Sequence, residues 1–201
     1  MTASSDARDV EVISDWFGSA RNNEMLEKVP SRIAFAYENE GMDKDTWGYQ
    51  VEPGMKSYSW TKLLLDADAA TTHFDSDVLS GKIQKEFFVL PAEMNAEEVA
   101  AAYLSHLYQY TMEKLTKLYT EKIMKVTTID FWFTKPATWR DSSDDATRAA
   151  AEIAGFGSRP GDRLFMITEP EAAAMAILSH AHETTPGLYK VSTVLVGPGR
   201  C

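Results

Sequence analysis

Two corners of the chain carry side chains able to do chemistry. In FWFTKPATW, Thr134 and Lys135 stand directly before Pro136, and in LFMITEPEAAAMAI, Thr168 and Glu169 stand directly before Pro170. Each corner is an apolar, strand-like run that stops abruptly at polar residues. The hydroxyls of Thr134 and Thr168 and the ammonium of Lys135 are hydrogen-bond donors, and a fixed donor stabilises negative charge that grows on a carbonyl oxygen in a transition state. Tyr58, Trp60, Trp132 and Trp139 supply aromatic surface to wall such a site, although aromatic side chains more often build cores. Glu169 also has a plainer role, as a cap for a helix whose first residue is Pro170, where its charge suits the helix dipole.

Other patterns carry less. Gly155, Gly157 and Gly161 in GFGSRPG have the spacing of a nucleotide fingerprint, but a dinucleotide loop follows a strand and opens a helix, whereas this one closes a helix. His180 and His182, two apart, face different sides of a helix and cannot chelate together. Asp66 with Asp68, and Asp75 with Asp77, lack the glycine and distal glutamate of a calcium loop. The single cysteine, Cys201, excludes an internal disulfide framework and a thiolate zinc site. No metal or cofactor is expected, and no residues suit redox or hydrolytic chemistry.

The elements that position the two corners follow from the order strand, helix, strand, helix over residues 126–182. A connection of this length containing a helix is the right-handed crossover between neighbouring parallel strands. Ligands of open α/β sheets sit beyond the carboxyl ends of such strands, which is where both corners fall. Upstream, Val10 to Ser14 and Arg32 to Tyr37 alternate as short strands around a turn-rich Gly18 to Lys28 segment, and a short helix begins at Trp60. Asn95 with Glu98 forms a capping-box pattern for a helix running to about Met124, with Leu104, Leu107, Thr111, Leu115 and Leu118 as its buried stripe. Ser142 with Asp145 caps the next helix, whose face of Ala146, Ala149, Ala150 and Ile153 approaches the sheet, and Gly155 ends it.

With 201 residues and 44% hydrophobic content, one domain spanning 1–201 with a single core is expected. A net charge of −10 makes nucleic acid and an anionic membrane surface poor partners. The polar, acidic start lacks a secretory core segment and no run of eighteen apolar residues occurs, so a cytoplasmic protein without a membrane span is expected.

FTKPATWRDSSDDATRAAAEIAGF followed by ITEPEAAAMAI resembles the proline-alanine and glutamate-proline signatures of the actin-like ATPase domain of the seventy-kilodalton heat-shock chaperones. VPSRIAFAYENEG, WGYQVEPG and YSWTKLLLD are similar to its divergent fungal members, and the resemblance runs from about Val10 to the end. It implies an α/β, ribonuclease H-like lobe with a mixed sheet flanked by helices. Lys62 matches the lysine that approaches the γ-phosphate, and Glu169 the glutamate near the magnesium shell; Pro136 matches the switch proline, with Asp144 where a basic residue is usual. Both glycine-containing phosphate hairpins are lacking: the chain opens with MTASSDARDVEVISDW, where the first should be complete, and stops at VLVGPGRC, where the second would begin. Backbone N–H groups of such loops bind the phosphates, so a reduced first lobe without ATPase activity is expected, and Lys62 reverts to a solvated helix lysine.

A reduced lobe also lacks a central strand. Repair is expected through the VSTVLV run from Val191 to Val196, through a homodimer across the exposed sheet edge, or through conversion of the gap into a pocket. Reduced fungal lobes of this kind include the norbornene synthase type of sordarin-type diterpenoid biosynthesis, which implies a cofactor-independent intramolecular Diels–Alder cyclase acting on an apolar terpenoid-like substrate. Its site would comprise Lys62, Lys135, Thr134, Thr168 and Glu169, with Tyr58, Trp60, Trp132 and Trp139 as walls. A non-catalytic pseudo-chaperone lobe that binds another protein is the alternative.

Overall fold

The computed structural model describes residues 12–18, 27–59, 65–66 and 89–181, with the backbone alone over 177–181. Trp60, Lys62 and the 191–196 run lie outside the described residues. Among these residues the chain is α/β, with three α-helices and two small sheets.

The first sheet is antiparallel. β1 (Arg32–Ala34) pairs with β2 (Thr46–Trp47) on one side and β3 (Tyr58–Ser59) on the other, with Ile33 opposite both Trp47 and Tyr58. Ile33 is fully buried and begins the core, while a 3-10 turn at Ala36–Glu38 ends the strand short of Tyr37. The turn is fixed by Asp45, whose carboxylate accepts the Ala36 N–H at 2.8 Å. The segment from Val12 forms no strand; instead Trp16 stacks on Tyr110 at 5.2 Å, and Asp15 takes the Lys114 ammonium.

The second sheet is the predicted parallel crossover. β4 (Asp130–Lys135) leads through α2 (Asp141–Ala154) to β5 (Arg163–Thr168), with Asp130 opposite Arg163 and Lys135 opposite Thr168. Phe131 and Phe133 point to one face and are buried there against Phe156 at ring separations of 5.1 and 4.9 Å. Among the described residues the strands form two sheets rather than the single mixed sheet expected, and both edges of β1 are taken by β2 and β3, so β4 does not pair with it. One hydrophobic core nevertheless joins Ile33 and Tyr58 of the first sheet, and Phe35 just after β1, to Phe131 and Phe133 of the second.

α1 (Ala96–Met124) begins at the expected capping box: Asn95 Oδ1 accepts Glu98 N–H at 2.9 Å and Glu98 Oε2 accepts Asn95 N–H at 2.8 Å. Leu104, Leu107 and Thr111 are buried as read, but Leu118 is 55% exposed and the helix breaks at Thr120, where φ is 67°. The core ends before the helix does. α2 has Arg140 rather than Ser142 at its N-cap, and its buried face is Ser143, Thr147, Ala150, Ala151 and Ala154. Ile153 is 64% exposed, because the helix is turned so that Asp144 meets Lys135. Gly155 ends it at φ 106°, with Gly155 and Phe156 N–H groups both returning to the last turn. A Cβ at Gly155 would lie 3.1 Å from the Tyr108 ring, so close packing as well as φ requires glycine.

Candidate functional site

The carboxyl ends of β4 and β5 meet as expected for a crossover, because register places Lys135 and Thr168 side by side, with Thr134 beside Ile167 one step earlier. Lys135 does not stand alone. Its ammonium is bonded to Asp144 Oδ2 on α2, and both side chains are about four-fifths buried, at 19% and 20% exposure. Asp144 Oδ1 is buried without a hydrogen-bond partner among the described residues. One of the three ammonium N–H groups is therefore committed, and Asp144 on α2 anchors a lysine from the strand.

Thr168 opens α3 (Glu169–Ala181) as its N-cap. Its N–H and hydroxyl both reach Glu171 Oε2, at 3.0 and 2.7 Å, and the Glu171 N–H returns to Thr168 Oγ1 at 3.3 Å, a reciprocal capping box. These hydrogen bonds hold the Glu171 carboxyl below its ordinary value, with the Lys135 charge adding to them. Glu169 is the first helical residue, so the cap expected of Glu169 with Pro170 is instead made by Thr168 with Glu171. The signal was present as T-E-P-E, the threonine-x-x-glutamate spacing of a box.

Thr134 is 5% exposed and shares one face of the parallel pair with Trp132 and Asp130. Across the register, Trp132 lies flat on Phe165, with ring centroids 4.5 Å apart and planes 18° from parallel. Arg163 closes the far end, bidentate to Asp130 at 2.8 and 2.5 Å and 5.2 Å over the Phe165 ring. Trp132 and Phe165 are only half-buried. This face is thus an aromatic slab, with an ion pair at one end and Thr134 at the other, while Lys135 and Thr168, one residue further along each strand, alternate to the opposite face, where Asp144 of α2 takes the Lys135 ammonium. Trp139 is buried beneath the turn that follows β4, where its N–H donates to Pro136 C=O at 3.2 Å.

Tyr58 belongs to the other sheet. It is 4% exposed and its hydroxyl donates to Glu38 Oε2 at 2.7 Å, while Glu38 also takes Lys56 at 2.6 Å. Burial, then the Glu38 hydrogen bond, pushes the phenol above its ordinary value. The structure therefore brings Thr134, Lys135, Thr168 and Glu169 to one end of one sheet, places Trp132 mid-strand on one of its faces, and commits the Tyr58 hydroxyl elsewhere. Cavities of 490 Å³, beside Glu38, Glu52 and Met55, and of 320 Å³, beside Arg148, Phe156 and Leu164, are not lined by the strand-end residues. Asp144, Phe165 and Glu171 are the site residues that sequence reasoning missed.

No protein-family model matches the chain. It is 36% identical over 80 residues to the chaperone protein DnaK of Mycoplasmopsis pulmonis (strain UAB CTIP), a match that covers 40% of this chain and 11% of that protein. The similarity supports a chaperone-like relationship over that part of the chain. No described helix is long and apolar enough to cross a membrane.

Proposed function

We propose that the chain is a cofactor-independent cyclase, an intramolecular Diels–Alder catalyst of fungal terpenoid metabolism working in the cytoplasm. The observation that carries this reading is the half-buried Trp132–Phe165 slab, which runs to Thr134 beside the polar strand ends at Lys135 and Thr168. In the reaction a diene and a dienophile within one molecule form two C–C bonds while three π bonds become one, and no atom leaves. Such a step needs confinement in a reactive conformer, and holding reacting carbons together supplies several kcal/mol by removing conformational freedom in advance. The flat ring pair gives an apolar polyene a surface to lie on. Lys135, with N–H groups beyond the one given to Asp144, donates to the dienophile carbonyl as negative charge grows there.

The test is conversion of a diene–enal terpenoid by purified protein, for the native chain, Trp132→Ala and Lys135→Met. Both variants should be slower than the native chain, Lys135→Met by up to roughly a hundred-fold if the ammonium acts as an oxyanion-hole donor. Native protein no faster than buffer would reject the activity, and two fully active variants would reject this placement of it.

A second reading, a non-catalytic chaperone-like module that binds another protein or its own second copy across a sheet edge, is favoured by the similarity to DnaK. It is distinguished by recovery of a defined protein complex, or of a dimer, alongside absent conversion.

A further inference from the structure

We infer that the knuckle closing α1 is a docking surface for an anionic lipid membrane. Of residues 117–128, KLYTEKIMKVTT, every one is exposed except Met124. Four large apolar side chains crowd this stretch in the open: Leu118 at 55%, Tyr119 at 48%, Ile123 at 48% and Val126 at 83% exposure. Scattered exposed apolar residues need no explanation, but four within nine positions at one helix end are grouped as interaction sites are.

The charge around them selects the partner. Lys114, Lys117, Lys122 and Lys125 lie within twelve positions of a chain whose net charge is −10. Lys114 is bonded to Asp15 and Lys117 to Glu113, whereas Lys122 and Lys125 form no ion pair among the described residues. Glu121 is the carboxylate directly before them. At physiological salt, charges are screened beyond about 8 Å, so the whole-chain charge of −10, which by itself argues against an anionic surface, counts for less at the knuckle than the lysines displayed there. Apolar residues with a tyrosine, rimmed by free ammonium groups, have the composition that sits at a lipid headgroup boundary.

The knuckle is also held in shape. Arg159 donates to the Met124 and Thr127 carbonyls, the Thr127 N–H and hydroxyl both return to Ile123 C=O at 3.0 and 2.9 Å, and Lys125 N–H bonds Glu121 C=O at 3.0 Å. Its exposed side chains are displayed on pinned backbone, so little ordering opposes binding. A protein groove or a second copy of the chain is the competing occupant. The presence of unpaired lysines on an otherwise acidic molecule favours lipid phosphate and serine headgroups.

The experiment is flotation of the full chain with phosphatidylcholine vesicles in which about a third of the lipid is phosphatidylserine. Binding should exceed that to phosphatidylcholine alone and weaken in high salt. Lys122→Gln and Lys125→Gln should each lower it about five-fold, and Val126→Asp should lower it further. Ile153→Asp, which alters an equally exposed apolar residue on α2, should leave binding unchanged. Equal binding to neutral vesicles, equal loss in Ile153→Asp, no flotation at all, or flotation replaced by self-association that Val126→Asp abolishes would each overturn the assignment.

Discussion

Separating Lys135 from Asp144 should destabilise the fold asymmetrically, and removing both should restore most of the loss. Breaking a fully buried ion pair by deleting one partner costs about 3–5 kcal/mol, whereas an exposed pair is worth about 0–1 kcal/mol. With side chains 19% and 20% exposed, this pair lies between those limits. Lys135→Met keeps the packing of the stem but strands a carboxylate whose Oδ1 already has no partner among the described residues, so about 2–3 kcal/mol is expected. Asp144→Ala leaves a long cation that can reach for water, which reduces the cost to about 1–2 kcal/mol. The double variant Lys135→Met/Asp144→Leu strands neither charge and should fall within about 1 kcal/mol of the native chain, giving a coupling of roughly 2–5 kcal/mol. Urea unfolding followed by tryptophan emission measures this, provided the m value is unchanged. In thermal melts Lys135→Met should lose roughly 4–12 °C for a chain of this length. Single variants within about 0.5 kcal/mol of native, or costs that simply add in the double variant, would refute the assignment of this pair as a coupled, desolvated contact. The same proteins separate stability from chemistry: a variant that is folded yet slow in conversion has lost the donor, not the fold.

Phe156→Ala should be among the most damaging single changes, at about 3–5 kcal/mol, because this ring is 1% exposed and meets Tyr108, Phe131 and Phe133 edge-on; an unfolding midpoint close to native would contradict the packing described. Stability should fall as the medium is acidified through the histidine range. Burial holds His106, stacked parallel to Trp47 at 6.1 Å, below its ordinary value of 6.5, against an opposing pull from Asp45. The unfolded chain therefore binds the proton first, and stability is lost as pH drops below 6.5 towards the folded value. Urea midpoints at about pH 7 and pH 5 should converge in His106→Gln relative to the native chain, and an unchanged difference would remove His106 from the account.

Several features were legible in the sequence because they depend on residues close together along the chain. The box at Asn95 and Glu98, the glycine stop at 155 and the parallel pairing of β4 with β5 are of this kind: capping and left-handed termination are local properties of backbone and hydrogen bonding, and a helix between two strands brings them back parallel. Chain order also placed Thr134 with Lys135, and Thr168 with Glu169, at neighbouring strand ends. Whether those donors are free was not legible, since availability depends on what a neighbouring element presents. Asp144 claims Lys135 only because α2 is rotated towards it, and that rotation also exposes Ile153. The flat contact of Trp132 on Phe165 needed the register of two strands separated by a helix, and the commitment of Tyr58 needed a carboxylate twenty residues away. The split into two sheets was decided in the same way, by which strand took each edge of β1. Local sequence determined where polar groups lie along the backbone; the tertiary fold determined which of them face each other and which are left to face a ligand.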